Sequence, residues 1–295
     1  MQQKKSMHTL AVVALFISAL FWATGYLFVK QTIEEFSPLY LLAFRYLLAA
    51  FFMLLIALPR LKQMSKGLLK SGIWMGTALF FEFLTYTLGL QYTTASRASF
   101  IVAAYIIILP LVYFLVRRKL PKRQEILAAA VCMGGIALIV TGGGGSVNKG
   151  DLIMFLCAVS YAFHIVFGGK FAKEYDGILL NLVQIGTTAV LASIVALLFG
   201  TWPARVTMPR AGSILYLAAV ATILPYLLCL FGQKYVSTTT SGIVLSFESV
   251  FATLMSILFM NDQISLQFAL GGLLVIGAFF VSEWEPKKKQ EPTGI

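Results

Sequence analysis

The sequence predicts an all-α integral membrane protein whose ten transmembrane helices form two inverted five-helix repeats. Three observations lead there. Hydrophobic residues make up 59% of the 295 and charged residues only 12%, more apolar side chain than a soluble domain can hide. The basic residues gather in short segments between apolar runs. With a cytoplasmic N-terminus, seventeen lie on the inner side and five on the outer, with Arg45 left inside a helix, as the positive-inside rule requires. Finally, a shift of 143 residues lays GLQYTTASRASFI (89–101) over GQKYVSTTTSGIV (232–244), and runs on without a gap to pair Gly134 with Gly277. Five helices per half is an odd number, so the second half enters from the opposite side, and substrate then lies at the midplane between the halves.

Ten helices are expected at roughly 9–30, 38–58, 71–91, 96–116, 123–141, 151–170, 177–200, 211–233, 239–260 and 265–283. Each is close to the length that crosses the hydrocarbon core. The first follows Lys4 and Lys5 and is of full spanning length, so it reads as a retained helix and not a cleaved leader. The first repeat covers 1–141, a glycine-rich linker 142–150, the second repeat 151–283, and a basic cytoplasmic tail 284–295. The glycine run lacks the lysine–hydroxyl pair of a phosphate-binding loop. A shift of 139 pairs Trp22 with Tyr161 and Arg45 with Gln184. The protein is expected in the cytoplasmic membrane, with both termini on the cytoplasmic side. The net charge of +11 then reflects topology, with no nucleic-acid partner.

Glu248 lies halfway along 239–260. A carboxylate there costs about 2.5–3.5 kcal/mol on insertion scales, so it should face a protein interior or a wet cavity. Helical spacing puts Ser241, Leu245, Glu248, Ala252 and Met255 on one stripe. Glu82 is a second mid-depth acid, with Tyr86 four residues on and on the same face. Either acid can carry a proton or attract a cationic head group; either can instead be satisfied by a packing hydrogen bond. Trp22 and Tyr26 form an i, i+4 pair near mid-depth, and Tyr86, Tyr105, Tyr161 and Tyr226 extend the aromatic set. Such rings pack helices or offer π faces to a cationic ligand. Tyr105 is the repeat equivalent of Glu248. His164 is an isolated membrane histidine, open to a packing or a proton-relay role. Arg45 can snorkel outward or bond helix ends. Pro110 and Pro225 lie inside helices four and eight, where each frees a carbonyl and bends its helix. Cys132, Cys157 and Cys229 read as buried small residues, and no metal-ligand spacing occurs. Nucleophile elbow, dinucleotide and Walker motifs are absent, which argues against an enzyme and an ATP-driven pump.

In SALFWATGYLFVKQTIEEFSPLYLLAFRYLLAA (18–50), Trp22, Lys30, Ser37, Pro38 and Arg45 follow a pattern that resembles the opening of EamA-domain transporters of the drug/metabolite transporter superfamily. GLQYTTASRASFI with Pro110 is similar to its helix three–four segment, and KGDLIMFLCAVSYAFHIVF (149–167) to the start of its second domain. Gln184 matches a frequent helix-seven glutamine. FESVFATLMSILF (247–259) resembles the helix-nine Glu-Pro motif, with Glu248 as the acid and Ser249 in place of proline. The Gly-Glu pairs that often end helices four and nine appear as Arg117–Arg118 and Asn261–Asp262. The resemblance implies a central cavity built mainly by helices one, three, four, six, eight and nine. It also implies alternating access and secondary export of small metabolites or amino acids.

The expected function is therefore proton-coupled export of a small amphipathic metabolite, an amino acid or related compound. Glu82 and Glu248 are the coupling or binding acids, Trp22, Tyr26, Tyr86, Tyr105 and Tyr161 the lining, with His164 nearby. Arg45, Pro110, Gln184 and Pro225 serve gating or structure. No cofactor or metal is expected, and the protein is a monomer or homodimer in the lipid bilayer. An uncoupled facilitator, an integral-membrane enzyme acting on a lipid-like substrate, and a non-transporting partner subunit are the rival readings.

Overall fold

The computed structural model describes residues 2–34, 36–141, 148–203, 207–260 and 266–283. All regular structure among them is helical. In order the helices are α1 (Gln2–Ile33), α2 (Pro38–Ala57), α3 (Lys66–Gly89), α4 (Ala95–Val102), α5 (Tyr105–Arg117), α6 (Arg123–Thr141) and α7 (Lys149–Phe171). They continue with α8 (Gly177–Phe199), α9 (Met208–Ala218), α10 (Leu224–Tyr235), α11 (Thr238–Leu245), α12 (Phe247–Met260) and α13 (Leu266–Glu283). Much of the glycine-rich linker, the basic tail and the Asn261–Asp262 helix end lie outside the described residues.

Short polar residues set the starts. Ser65, Thr94 and Ser237 each accept a hydrogen bond from the backbone N–H three residues on, satisfying a donor the helix leaves free. Asp176 does the same for two N–H groups of α8. Asn148 and Asp151 form a reciprocal capping box at the start of α7. Pro38 opens α2 at a position where its missing N–H costs nothing.

Seven segments are long and apolar enough to cross a membrane: Ser6–Ile33, Pro38–Gln63, Arg97–Arg117, Lys149–Phe171, Gly177–Phe199, Met208–Tyr235 and Thr238–Phe259. Of the ten expected helices, the third, fifth and tenth (α3, α6 and α13) are outside that set. Lys66, Lys70 and Glu82 make α3 more polar, α6 opens on Arg123, Gln124 and Glu125, and the described part of α13 is short. Three expected continuous helices are interrupted. Helix four breaks at Ala103–Ala104 into α4 and α5; helix nine breaks at Ser246 into α11 and α12. Helix eight carries a π turn, Ala219–Ile223, between α9 and α10. The stripe expected from Ser241 to Met255 is therefore cut between Leu245 and Glu248. Helix nine also breaks without the proline that Ser249 replaces.

Helix pairing positions the interior. α6 packs along α13, α2 along α8, and α3 against both α7 and α8; α1 lies against α10, α11 and α12. Among hydrocarbon tails, such association rests on close packing and hydrogen bonds, which small residues favour. A Cβ on Gly135 would lie 2.5 Å from the Gly271 carbonyl oxygen, and one on Gly76 2.6 Å from the Gln184 carbonyl oxygen. The outward faces are apolar: Leu197, Leu198 and Phe199 of α8 and Phe51, Leu54 and Leu55 of α2 are exposed, as lipid contact requires.

Gly135→Ala should lower the apparent midpoint of thermal unfolding, at an overpacking cost of about 1–3 kcal/mol. Its neighbour Gly134 has nothing within 4 Å of a built Cβ, so Gly134→Ala should leave the midpoint unchanged or slightly raised.

Candidate functional site

Where α1, α2, α3, α4, α7 and α12 converge, a cavity of about 30 Å³ is lined by Trp22, Gly25, Tyr26, Arg45, Glu82, Phe83, Tyr86, Val102, Cys157, Tyr161 and Glu248. That is room for a water or two and far below the usual size of a metabolite site, so the helices are closed around it. Both mid-depth acids reach this one space from different helices. Tyr26 and Glu248 both line it. Glu82 is buried, and its Oε2 lies 3.5 Å from His164 Nδ1.

Aromatic rings wall the cavity. Trp22 packs edge-on against Tyr226 at 5.0 Å and Tyr161 at 6.1 Å, and Tyr26 against Tyr86 at 4.9 Å between ring centres. Trp22 Nε1, Tyr161 Oη and Glu82 Oε2 are buried without a hydrogen-bond partner among the described residues. Buried polar atoms of this kind are uncommon and call for an explanation.

Arg45 points inward and does not snorkel. Its Nε donates to Thr222 Oγ1 at 2.7 Å and its Nη2 to the Ala221 carbonyl at 2.9 Å; the guanidinium lies 4.6 Å from the Phe83 ring centre. The reason is local. Pro225 has no N–H for the carbonyl four residues back, which is that of Ala221, and Arg45 supplies a donor there. The π turn carries Thr222 into reach, and Thr222 passes its own proton to the Leu217 carbonyl at 2.7 Å.

Other expected residues lie one layer out. Tyr105 packs on Tyr161 at 4.6 Å and donates to the Gly242 carbonyl at 2.5 Å. Pro110 sits inside α5, one turn beyond Tyr105. His164 and Gln184 are joined behind Glu82, His164 Nε2 to Gln184 Oε1 at 2.9 Å. Phe83, Val102 and Asn181 were not anticipated, and Cys157, read only as a buried small residue, lines the cavity. Asn181, Gln184 and Thr188 are all fully buried and follow an i, i+3, i+7 spacing along an apolar helix; that polar stripe was the available signal. No cluster of metal-ligating side chains occurs among the described residues.

Polar ties close the bundle above and below. On one side Lys30 Nζ donates to the Leu90 and Thr93 carbonyls at 2.8 and 3.0 Å. Nearby, Arg97 grips Asp151 with two bonds of 3.0 and 2.7 Å, a bidentate charge-assisted contact. On the other side Lys173 Nζ donates to the Val236 carbonyl at 3.4 Å, and Arg60 meets Asp176 at 2.7 Å. Partial burial, and then the Arg117 charge, hold the Lys173 ammonium below the usual lysine range.

Comparison with known proteins agrees with this architecture. The sequence pattern described as the EamA-like transporter family matches residues 9–141 and 148–283. Two proteins of Archaeoglobus fulgidus, each named only an uncharacterized transporter, are similar. One is 25% identical across 92% of this chain and 85% of its own length; the other is 24% identical across 91% and 95%. A solved crystal structure shares the fold, with a TM-score of 0.75 at 17% identity, over 92% of this chain and 96% of that one.

Arg45→Met should lower stability by about 1–3 kcal/mol, the cost of leaving a buried acceptor unmet. Adding Pro225→Ala, which restores a backbone N–H opposite Ala221, should recover part of the loss. A thermal-unfolding double-mutant cycle reads the coupling.

Proposed function

Because the chain belongs to the EamA-like transporter family, we propose that it exports small amphipathic metabolites, amino acids or related compounds, by alternating access in exchange for protons. The observation that carries this reading is the meeting of two carboxylates in one closed, aromatic-walled cavity. An acid in mid-membrane is costly and marks an ion or substrate path. Glu82 and Glu248 are assigned to proton or ammonium binding, and Trp22, Tyr26, Tyr86 and Tyr161 to the apolar part of the substrate. Tyr105 supports them from behind, and Arg45, Pro110, Gln184 and Pro225 shape the helices that must move.

In this reading ten helices cross the cytoplasmic membrane as two inverted repeats, 1–141 and 151–283, joined by 142–150, with both termini and the 284–295 tail inside. The packing pattern supports it. Exchanging the halves turns the α1–α10 contact into α7–α3, the α1–α12 contact into α7–α5, and maps α2–α8 and α6–α13 onto themselves. The helix breaks at Ala103 and Ser246 are 143 residues apart. Across the breaks the bonds are reciprocal. Tyr105 donates to the Gly242 carbonyl, and Ser249 to the Ser99 carbonyl at 2.9 Å; the two acceptors are again 143 apart. Lys30 and Lys173, each near the end of the first helix of its half, reach the carbonyls of Thr93 and Val236, which are 143 apart as well. Equivalent latches on opposite faces are what alternating access needs, since one must release while the other holds.

The experiment uses Cys157, a buried thiol in the cavity wall, in a Cys132→Ala/Cys229→Ala background in proteoliposomes. Lys30→Met should speed labelling by a membrane-impermeant maleimide from the outer side, roughly tenfold for the loss of a charge-assisted bond. Lys173→Met should speed it from the inner side. Equal labelling from both sides in every variant would contradict the gating assignment. In the same vesicles, Glu82→Gln and Glu248→Gln should each abolish pH-gradient-driven accumulation of amino acids; accumulation unchanged in both would remove the acids from coupling.

A further inference from the structure

The polar chain behind Glu82 fixes its own proton positions. The Tyr226 backbone carbonyl can only accept, so the Asn181 atom 3.2 Å from it is the amide Nδ2. Asn181 Oδ1 therefore faces Gln184 and accepts from its Nε2. That turns Gln184 Oε1 toward His164 Nε2, at 2.9 Å. An amide oxygen has no proton to give, so His164 Nε2 must carry one. His164 Nδ1 is then the ring nitrogen free to gain or lose a proton, and it lies 3.5 Å from Glu82 Oε2, which has no hydrogen-bond partner among the described residues.

We propose that Glu82 and His164 form a one-proton binding unit at the cavity wall, held in a single imidazole tautomer by Gln184 and Asn181. This rests on the transporter reading for its role in a cycle. With one proton between them the pair is neutral overall, as carboxylic acid with neutral imidazole or as carboxylate with imidazolium. Removing that proton sets a carboxylate against the Nδ1 lone pair in a buried space, which is costly unless another cation arrives. A substrate ammonium entering from the cavity side of Glu82 is such a cation, so proton and ammonium compete for one oxygen. The proton leaves to water when the cavity opens, and the ammonium takes its place at the carboxylate, with no net change in the site's charge.

Charged and titratable groups of the neighbouring elements surround the pair. Arg45 of α2 is engaged by Thr222 and Ala221. Glu248 of α12 and Tyr26 of α1 line the same cavity. Tyr86 of α3 and Cys157 of α7 line the same cavity as Glu82. From α8 the Gln184 amide meets His164. His164 also packs edge-on against Tyr226, with ring centres 5.4 Å apart, which leaves the ring little freedom to turn.

The chain has two histidines, so a His8→Gln variant labelled with ¹⁵N-histidine reports His164 alone. Magic-angle-spinning NMR in liposomes, titrated over the physiological pH range without substrate, reads both tautomer and protonation. The expected result is a neutral ring protonated at Nε2, with a titration step that is lost in Glu82→Gln and a tautomer preference that is lost in Gln184→Leu but kept in Gln184→Glu. A neutral ring protonated at Nδ1, or a His164 titration unchanged by Glu82→Gln, overturns the proposal. Glu82→Gln alone suffices should the Gln184 variants fail to fold. Whether a pH gradient drives flux is a separate measurement. Its absence beside a positive titration would remove proton coupling from the function and leave the one-proton unit standing.

Discussion

A polar group at the middle of a bilayer has no water to fall back on, so every such group must find a partner within the protein or line a wet space. The interior of this protein is arranged around that constraint. Its seam between α3, α7 and α8 runs from the cavity-facing Glu82 through His164, Gln184 and Asn181 to a backbone carbonyl. Each member is satisfied by the next, until the end that faces the cavity.

The same constraint explains the irregular helices. Proline and π turns are tolerated in spanning helices when neighbours meet the released groups. Pro225, the π turn and Arg45 form one such arrangement: the proline withholds a donor, and the arginine supplies one. The cation is thereby buried without a carboxylate partner at bonding distance among the described residues, held instead by a carbonyl, a hydroxyl and the Phe83 ring. At the breaks of helices four and nine, hydroxyls of Tyr105 and Ser249 reach carbonyls of the crossing helix. Interrupted helices tied by hydroxyl–carbonyl bonds can change partners at modest cost, which suits a part that moves.

Much of this was legible in the sequence. Helix positions followed from apolar run length, and both acids stood out because a carboxylate in such a run is rare. Their convergence on one cavity was not legible, since it depends on how α3 and α12 cross. Of the two roles open to Arg45, the structure shows the bond to a neighbouring helix, and its partners were not legible because a π turn some 176 residues away carries them. The break at Ser246 was missed because the apolar run 239–260 continues through it with no proline; in the structure the Ser246 hydroxyl turns back to the Ile243 carbonyl at 2.7 Å. Gln184 was recognised singly, whereas the stripe Asn181–Gln184–Thr188 would have marked a polar seam.

The most direct test is thermal stabilisation of the purified protein by a panel of amino acids, quaternary amines and aromatic metabolites, at two pH values. A ligand that binds the folded form raises its apparent stability by mass action. The account predicts that an ammonium-bearing member of the panel raises the midpoint more at the higher pH, where the acids are free of protons. It also predicts that the rise is lost in Glu82→Gln and Glu248→Gln. A rise that is equal in wild type and both variants at both pH values would contradict binding between the two acids.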